Sequence, residues 1–76
     1  MFAVKISYVG TSGDGSTSEE SNFACESGDV LEFHNELGAR ALASDTVRLV
    51  DCVFDMTPGF DDVRIVGATV YEMIAR

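Results

Sequence analysis

The chain has few basic residues, and this scarcity narrows the kinds of partner that it can bind. Among 76 residues there are 5 Lys and Arg against 13 Asp and Glu, which gives a formal net charge of −8. Binding to nucleic acid requires clustered Lys and Arg that neutralise phosphates. The composition therefore argues against nucleic acid as a direct ligand.

The length, the low cysteine content and the lack of long apolar runs restrict size and compartment. A chain of this length forms one domain, residues 1–76, and is too short for a dinucleotide-binding fold or a (β/α)₈ barrel. No apolar run reaches the roughly 18–20 residues that cross a membrane, and no basic region precedes the apolar N-terminus. Cys25 and Cys52 are expected to be reduced and buried, with a disulfide between them as the alternative. A cytoplasmic protein without a membrane partner is expected.

Alternating hydrophobicity predicts strands near both ends of the chain. Residues 2–9 alternate as a half-buried strand does. Its apolar face would consist of Phe2, Val4, Ile6 and Tyr8. A turn-rich segment over 10–18 with an Asp-Gly pair leads into a second strand over 19–26. A last strand over 63–73 is apolar on both faces, which is typical of a strand that is covered on both sides or offers one side to a partner.

The segment 30–42 has the periodicity of an amphipathic helix. Its apolar stripe consists of Val30, Phe33, Leu37 and Ala41. Ser27 or Asp29 would cap this helix, and Asp29-x-x-Glu32 resembles a capping box. Glu32 and Glu36 would lie on the solvent side, about 6 Å apart by helical rise.

Residues 47–56 are interpreted as a third strand, which completes the predicted fold. Asp51 and Asp55 would point to solvent about 13 Å apart, with Cys52 on the inner face. Pro58-Gly59 fits the centre of a type II turn before the last strand. The element order β-β-α-β-β predicts an α+β domain, in which one helix packs on one face of a four-stranded antiparallel sheet.

Residue types that support catalysis or metal binding are present but lack the required patterns. His34, Cys25 and Cys52 are predicted to share one interior, where they would suit a zinc site or a Cys–His nucleophile. Their spacing contains neither CxxC nor HxxxH, and a closed zinc site needs four ligands. The glycine-rich segment 10–18 lacks the Gly-Lys-Ser/Thr ending of a phosphate-binding loop. No cofactor, no metal and no enzymatic activity are therefore expected.

The acidic residues are spread through the predicted elements, and two interpretations of them remain open. The excess of acid either keeps a small protein soluble or forms a surface that docks on a basic site of another protein. The candidate partner-binding residues are Asp51, Asp55, Phe60, Asp61 and Asp62, with Glu32 and Glu36 as a second patch. Phe60 would be an apolar anchor, and its alternative is packing beneath its own turn. The spacing of these acids permits partial mimicry of a short stretch of nucleic-acid phosphates.

In size, charge and element order, the chain resembles a class of small acidic phage-encoded inhibitors that includes many anti-CRISPR proteins. The shared features are a short chain, a few strands with one or two helices, strong acidity and no enzyme motif. Several such inhibitors bind the nucleic-acid-recognition surfaces of CRISPR complexes and block DNA loading. The resemblance implies a CRISPR effector complex as the partner and the host-cell cytoplasm as the compartment, and it carries over no individual residue.

A small structural or assembly module is the alternative function. Such a module would dimerise through the doubly apolar last strand over 63–73, so that both a monomer and a homodimer remain open. A small enzyme or metal protein that uses His34 is the third hypothesis.

Overall fold

The structure, a computed structural model, describes residues 1–74 of the chain. Within this range the fold is α+β, as the sequence predicts, with five strands and two helices. In chain order these are β1 (Phe2–Thr11), β2 (Thr17–Phe23), β3 (Cys25–Glu26), β4 (Asp29–Val30), α1 (Glu36–Ala43), α2 (Thr46–Met56) and β5 (Asp62–Glu72). No helix in the described part of the chain is long and apolar enough to cross a membrane.

The main sheet has three strands in the order β2-β1-β5, and both neighbours run antiparallel to β1. The predicted Asp-Gly turn joins β1 to β2. Gly15 has a φ of 85°, a conformation that favours glycine, and the Asp14 carboxylate accepts hydrogen bonds from the backbone N–H and the hydroxyl of Ser16. The N-terminal strand and its turn are thus confirmed, whereas a four-stranded sheet is wrong.

A second, two-stranded hairpin replaces the predicted start of the helix. Strands β3 and β4 pair around Ser27 and Gly28, whose φ angles are 52° and 85°. Positive φ at both central residues is the geometry of a type I′ turn. The prediction that Ser27 or Asp29 caps a helix is therefore wrong, and so is the continuous strand over 19–26.

Helix α1 begins later than the sequence pattern predicts. Its N-cap is Asn35, whose side-chain oxygen accepts a hydrogen bond of 2.9 Å from the backbone N–H of Gly38. The chain before it is extended, because Phe33 exchanges two backbone hydrogen bonds of 2.7 and 2.8 Å with Phe2. The helix predicted over 30–42 is correct only in its second half.

The segment 47–56, predicted as a strand, lies within helix α2. Asp45 caps this helix by accepting a hydrogen bond of 3.1 Å from the backbone N–H of Arg48. Its buried residues have helical spacing and are Leu49, Cys52 and Val53. Val53, which a strand would expose, is fully buried. The missing fourth strand of the main sheet is accounted for by this helix.

One hydrophobic core lies between the two helices and one face of the main sheet. It contains Val4, Ile6 and Tyr8 of β1, Ala39 and Leu42 of α1, Leu49, Cys52 and Val53 of α2, and Val63 of β5. The buried Tyr8 keeps its hydroxyl satisfied, since Asn22 donates a hydrogen bond of 2.8 Å to it. The inward face predicted for β1 is therefore confirmed.

Strand β5 forms one edge of the main sheet, close to the predicted range of 63–73. It has an irregularity in register opposite Ser7 and Tyr8, near Val66, which is 61% exposed. The chain turns at Pro58 and Gly59 before this strand, but Gly59 does not have the positive φ that a type II turn requires there. Strand β5 pairs with β1 on one side only and is therefore an edge strand. The interpretation of this strand as a central one, covered on both faces, is wrong.

Candidate functional site

A groove lies between the end of β2, the β3–β4 hairpin and the C-terminal half of α2. It consists of two adjacent cavities of about 720 and 400 Å³. The larger cavity is lined by residues that include Asn22, Phe23, Cys25, Asp55, Met56 and Thr57. The smaller one is lined by Cys25 and Asp55 together with Glu26, Arg48, Asp51 and Cys52, among others. Because the two cavities share Cys25 and Asp55, they form one continuous surface, called the Asp55 groove below.

Helix α2 positions two of the predicted site residues at the groove. Asp51 and Asp55 are exposed and lie one helical turn apart, about 6 Å by helical rise. The predicted separation of 13 Å on a strand is therefore wrong, although both residues lie on one surface. The end of the helix is held by Thr57, whose backbone N–H and hydroxyl both donate hydrogen bonds to the Val53 carbonyl, at 2.8 and 2.7 Å.

The β3–β4 hairpin contributes a third carboxylate that sequence reasoning missed. Glu26 is exposed and lines the smaller cavity together with Asp51 and Asp55. The Ser-Gly pair at positions 27 and 28 is a recognised turn signal, and it would have placed Glu26 beside a tight turn. Its approach to α2 depends on tertiary packing, which no local pattern shows.

The buried thiol of Cys52 lines the smaller cavity together with the three carboxylates and Arg48. Burial raises the pKa of Cys52 above its ordinary value of 9.0, and the nearby Asp55, Glu26 and Asp51 raise it further, while Arg48 opposes them. The thiol is therefore protonated at neutral pH and is a poor nucleophile.

The second cysteine is more accessible. Cys25 is half-buried, and its thiol donates a hydrogen bond of 3.3 Å to the Phe23 carbonyl. Both Cys25 and Cys52 are free thiols in this structure. Cys25 is thus the cysteine that a reagent entering the groove meets first.

The remaining residues of the first predicted patch lie away from the groove. Asp61 and Asp62 are exposed and pack beside the β1–β2 hairpin, where the backbone N–H of Asp61 donates a hydrogen bond of 2.8 Å to Thr11. Asp62 pairs with Thr11, whereas groove residue Asn22 pairs with Ile6, five positions back along β1 or about 17 Å. The four aspartates therefore form two separate surfaces.

Phe60 packs into the molecule, in agreement with the alternative to its role as an anchor for a partner. It is half-buried and joins the core. Its ring meets Tyr8 edge-on with the centroids 6.5 Å apart, and it lies directly over Gly10, where a Cβ atom would overlap the ring. This placement leaves little of Phe60 for a partner.

The second predicted patch does not form on one helix face. Glu32 is exposed but precedes α1, and Glu36 is the first residue of that helix. The Glu36 carboxylate accepts a hydrogen bond of 3.0 Å from Arg40, one turn along. Both side chains are more than half exposed, so this salt bridge contributes little to stability.

The predicted shared interior of His34 with the two cysteines is also absent. His34 is exposed, because it belongs to the extended segment before α1 and not to the helix. Within residues 1–74, no group of three or more His, Cys, Asp and Glu side chains is arranged to hold a metal ion.

Comparisons with known proteins identify no relative of this chain. No protein-family model matches the chain, and neither a curated protein nor a solved structure is significantly similar to it.

Proposed function

We propose that the protein is a non-enzymatic inhibitor that binds, through the Asp55 groove and its carboxylates, to a basic nucleic-acid-binding site of another protein. The observation that carries this proposal is the convergence of Glu26, Asp51 and Asp55 on one groove. A carboxylate surface attracts a basic site over long range and disfavours acidic partners. The acidic groove therefore gives the molecule both a shape and a charge for recognition.

A CRISPR effector complex is the partner that we propose, in keeping with the class of inhibitors that the chain resembles. Asp51 and Asp55 carry two charges over about 6 Å, an axial length that holds about two phosphates of one DNA strand. Bound in a nucleic-acid channel, they would replace a short stretch of phosphates and exclude the DNA or RNA. Inhibition would follow from occupancy alone, without any chemical step.

A plaque assay tests this function directly. The protein is expressed in bacterial hosts that each carry one type of active CRISPR system with a spacer against the infecting phage. We expect restored plaque formation in at least one host, and loss of this rescue in the double variant D51N/D55N. The matched control is E19Q/E72Q, which removes the same charge from exposed residues outside the groove. If plaque formation is restored in none of the hosts, the proposal is contradicted.

A gel-shift experiment on the susceptible complex tests the mechanism. Protein added before the DNA should prevent the shift, and protein added afterwards should leave it largely intact. Raising the salt concentration should weaken inhibition, because it screens the attraction between exposed charges. Inhibition that is independent of both the order of addition and the salt would contradict competition by an acidic surface.

An assembly module that dimerises through β5 is the second candidate function, and a specific observation favours it. Both outer strands of the main sheet have a free edge among the described residues, but their compositions differ. Strand β2 is almost entirely polar, whereas β5 exposes Val66 and Tyr71 at 61% and 42%. An apolar edge strand is a template for pairing with a second chain.

Light scattering distinguishes the two functions. A dimer would have twice the chain mass of 8.2 kDa, and the variant V66K should return it to a monomer. A strict monomer at high concentration would rule out the assembly module. Inhibition by the monomer would in addition favour the first function.

A further inference from the structure

We propose that the Asp55 groove binds an arginine side chain of the partner, with the guanidinium beside Asp55 and the methylene stem along the groove wall. This inference rests on the proposed function, because it names the chemistry by which the same surface recognises its partner. Arginine is the one basic side chain that combines a permanently charged planar fork with a stem that packs on apolar groups.

The wall of the larger cavity provides the apolar part of this site. Cys25 and Met56 line it and are half-buried, so part of each remains accessible. Phe23 also lines it, and its ring packs edge-on against Tyr71 with the centroids 5.6 Å apart. Burying an aliphatic stem against such surface is favourable, at about 25 cal/mol for each Å² of apolar surface removed from water. At about 720 Å³, the cavity also accommodates the backbone that carries the side chain.

The carboxylates provide the charged part. Asp55 lines both cavities, and Asp51 lies one turn back along α2 in the smaller one. Among residues 1–74 the only salt bridge joins Glu36 to Arg40, so neither of these carboxylates forms one there. The five N–H donors of a guanidinium point in several directions and can reach both carboxylates, whereas a lysine ammonium is a compact and more strongly hydrated charge.

Arg48 is the one basic residue that lines the groove in the described part of the chain, and its position leaves the larger cavity open. It contributes to the lining of the smaller cavity only, together with Glu26, Asp51 and Asp55. The larger cavity has Asp55 as its charged lining residue. No basic residue among those described lines the larger cavity, and the cation beside its wall is Lys5, whose Nζ lies 5.8 Å from the centroid of the Phe23 ring. An incoming cation therefore reaches Asp55 from the side where the apolar wall lies.

An NMR titration with small peptides tests the inference on the intact protein. The probe is the capped tripeptide acetyl-Gly-Arg-Gly-amide, and the matched probes replace arginine by lysine or by the uncharged isostere citrulline. We expect saturating shifts of the amides of residues 22–28 and 55–57 with the arginine peptide, weaker binding of the lysine peptide and no saturation with citrulline. The variant D55N should bind the arginine peptide about tenfold more weakly, as expected when a charge-assisted hydrogen bond is lost. E72Q should bind it as the unchanged protein does.

Alkylation of Cys25 gives a second measurement at the same place. The arginine peptide at saturation should slow the reaction of Cys25 with iodoacetamide, because Cys25 lines both cavities. The citrulline peptide at the same concentration should leave the rate unchanged. Equal protection by both peptides would overturn the role of charge.

The two proposals fail in different ways. Absence of saturating shifts at the groove, equal binding of citrulline, or unchanged binding by D55N would each overturn the arginine site. If D51N/D55N nevertheless loses plaque rescue, the acidic docking surface is supported, and only arginine as its occupant is rejected. If the arginine peptide binds as described but no host shows plaque rescue, the arginine site is supported and the proposed inhibitor function is rejected.

Discussion

At the scale of single residues, the contact of Phe60 with Gly10 closes the core beside the β1–β2 hairpin. The ring occupies the space where any other residue at position 10 would place its Cβ atom. Gly10 is therefore required for close approach, since its own φ is not in the left-handed region. The same contact is the reason that Phe60 belongs to the core and not to the docking surface.

The first prediction concerns this contact. Gly10→Ala should destabilise the protein by about 1–3 kcal/mol, because the ring must move out of a well-packed site. The matched control is Gly59→Ala, since a Cβ atom there meets nothing within 4 Å and the backbone φ is ordinary. Urea unfolding of both variants measures the difference, and equal midpoints would contradict the proposed packing.

The second prediction concerns the titration of Asp14 at the hairpin turn. Hydrogen bonds from the side chain and backbone of Ser16 hold the pKa of Asp14 below its ordinary value of 3.8. Since this pKa is depressed on folding, the stabilisation is present above the unfolded value and is lost as the pH falls through the folded one. Ser16→Ala should raise the titration midpoint of Asp14 in carbon-detected NMR, whereas Ser18→Ala should leave it unchanged. An identical midpoint in both variants would show that the Ser16 side chain does not act on the carboxylate.

At the scale of elements, α2 determines both the core and the candidate site. Its inner side buries Leu49, Cys52 and Val53, and its outer side carries Asp51 and Asp55. The helix period of 3.6 residues places the two aspartates on one side, one turn apart. A strand would have separated them and would have exposed Val53.

The third prediction tests the start of this helix. Asp45→Ala should lower the free energy of unfolding by about 1 kcal/mol, because it removes the side chain that accepts the Arg48 N–H. The control is Asp51→Ala on the exposed side of the same helix, which should change it by no more than about 0.5 kcal/mol. Denaturant midpoints measure both, and an unaffected Asp45→Ala variant would contradict the capping role.

At the scale of the whole molecule, the net charge of −8 on 76 residues bears both on stability and on the proposed recognition. Like charges repel one another in the compact state, and salt screens this repulsion. In the proposed function, the same charge would steer the protein toward a basic partner. Salt should therefore stabilise the fold and weaken the proposed binding.

The fourth prediction follows from this opposition. Raising the ionic strength from about 0.01 to 0.15 M shortens the Debye length from about 30 to 8 Å. We expect the melting temperature to rise by about 4–8 °C, which corresponds to about 1 kcal/mol in a domain of this size. The variant E19K/E72K, in which each substitution replaces a negative by a positive charge and the net charge changes from −8 to −4, should show a smaller rise. A melting temperature that is the same at both ionic strengths would contradict a contribution from repulsion.

Prediction from the sequence succeeded for residues 2–9, where one local period is present, and failed for residues 47–56, where two periods overlap. Residues 2–9 alternate and fit a strand only, and they form the centre of the sheet. The segment 47–56 alternates from Val50 to Met56 but also repeats at helical spacing from Leu49 to Val53. Both patterns place Cys52 inside, so the pattern alone did not distinguish a helix from a strand.

The candidate site could also be predicted from the sequence only in part. The acidic character of Asp51 and Asp55 could be predicted, since residues of this type remain at the surface in either secondary structure. Their spacing and their neighbour Glu26 could not be predicted, because Glu26 lies 25 positions before Asp51 in the sequence and reaches it through the β3–β4 hairpin.

The sequence by itself determined the α+β composition, the N-terminal strand, the Asp14–Gly15 turn and the acidic surface, because each depends on local periodicity, turn chemistry or charge. Only the tertiary structure decided that α2 is a helix, that Phe60 packs against the core and that the Asp55 groove exists. The physical reason is that packing Leu49 and Val53 against the sheet selects between two periods that the chain allows, and that the groove is formed by elements far apart in sequence.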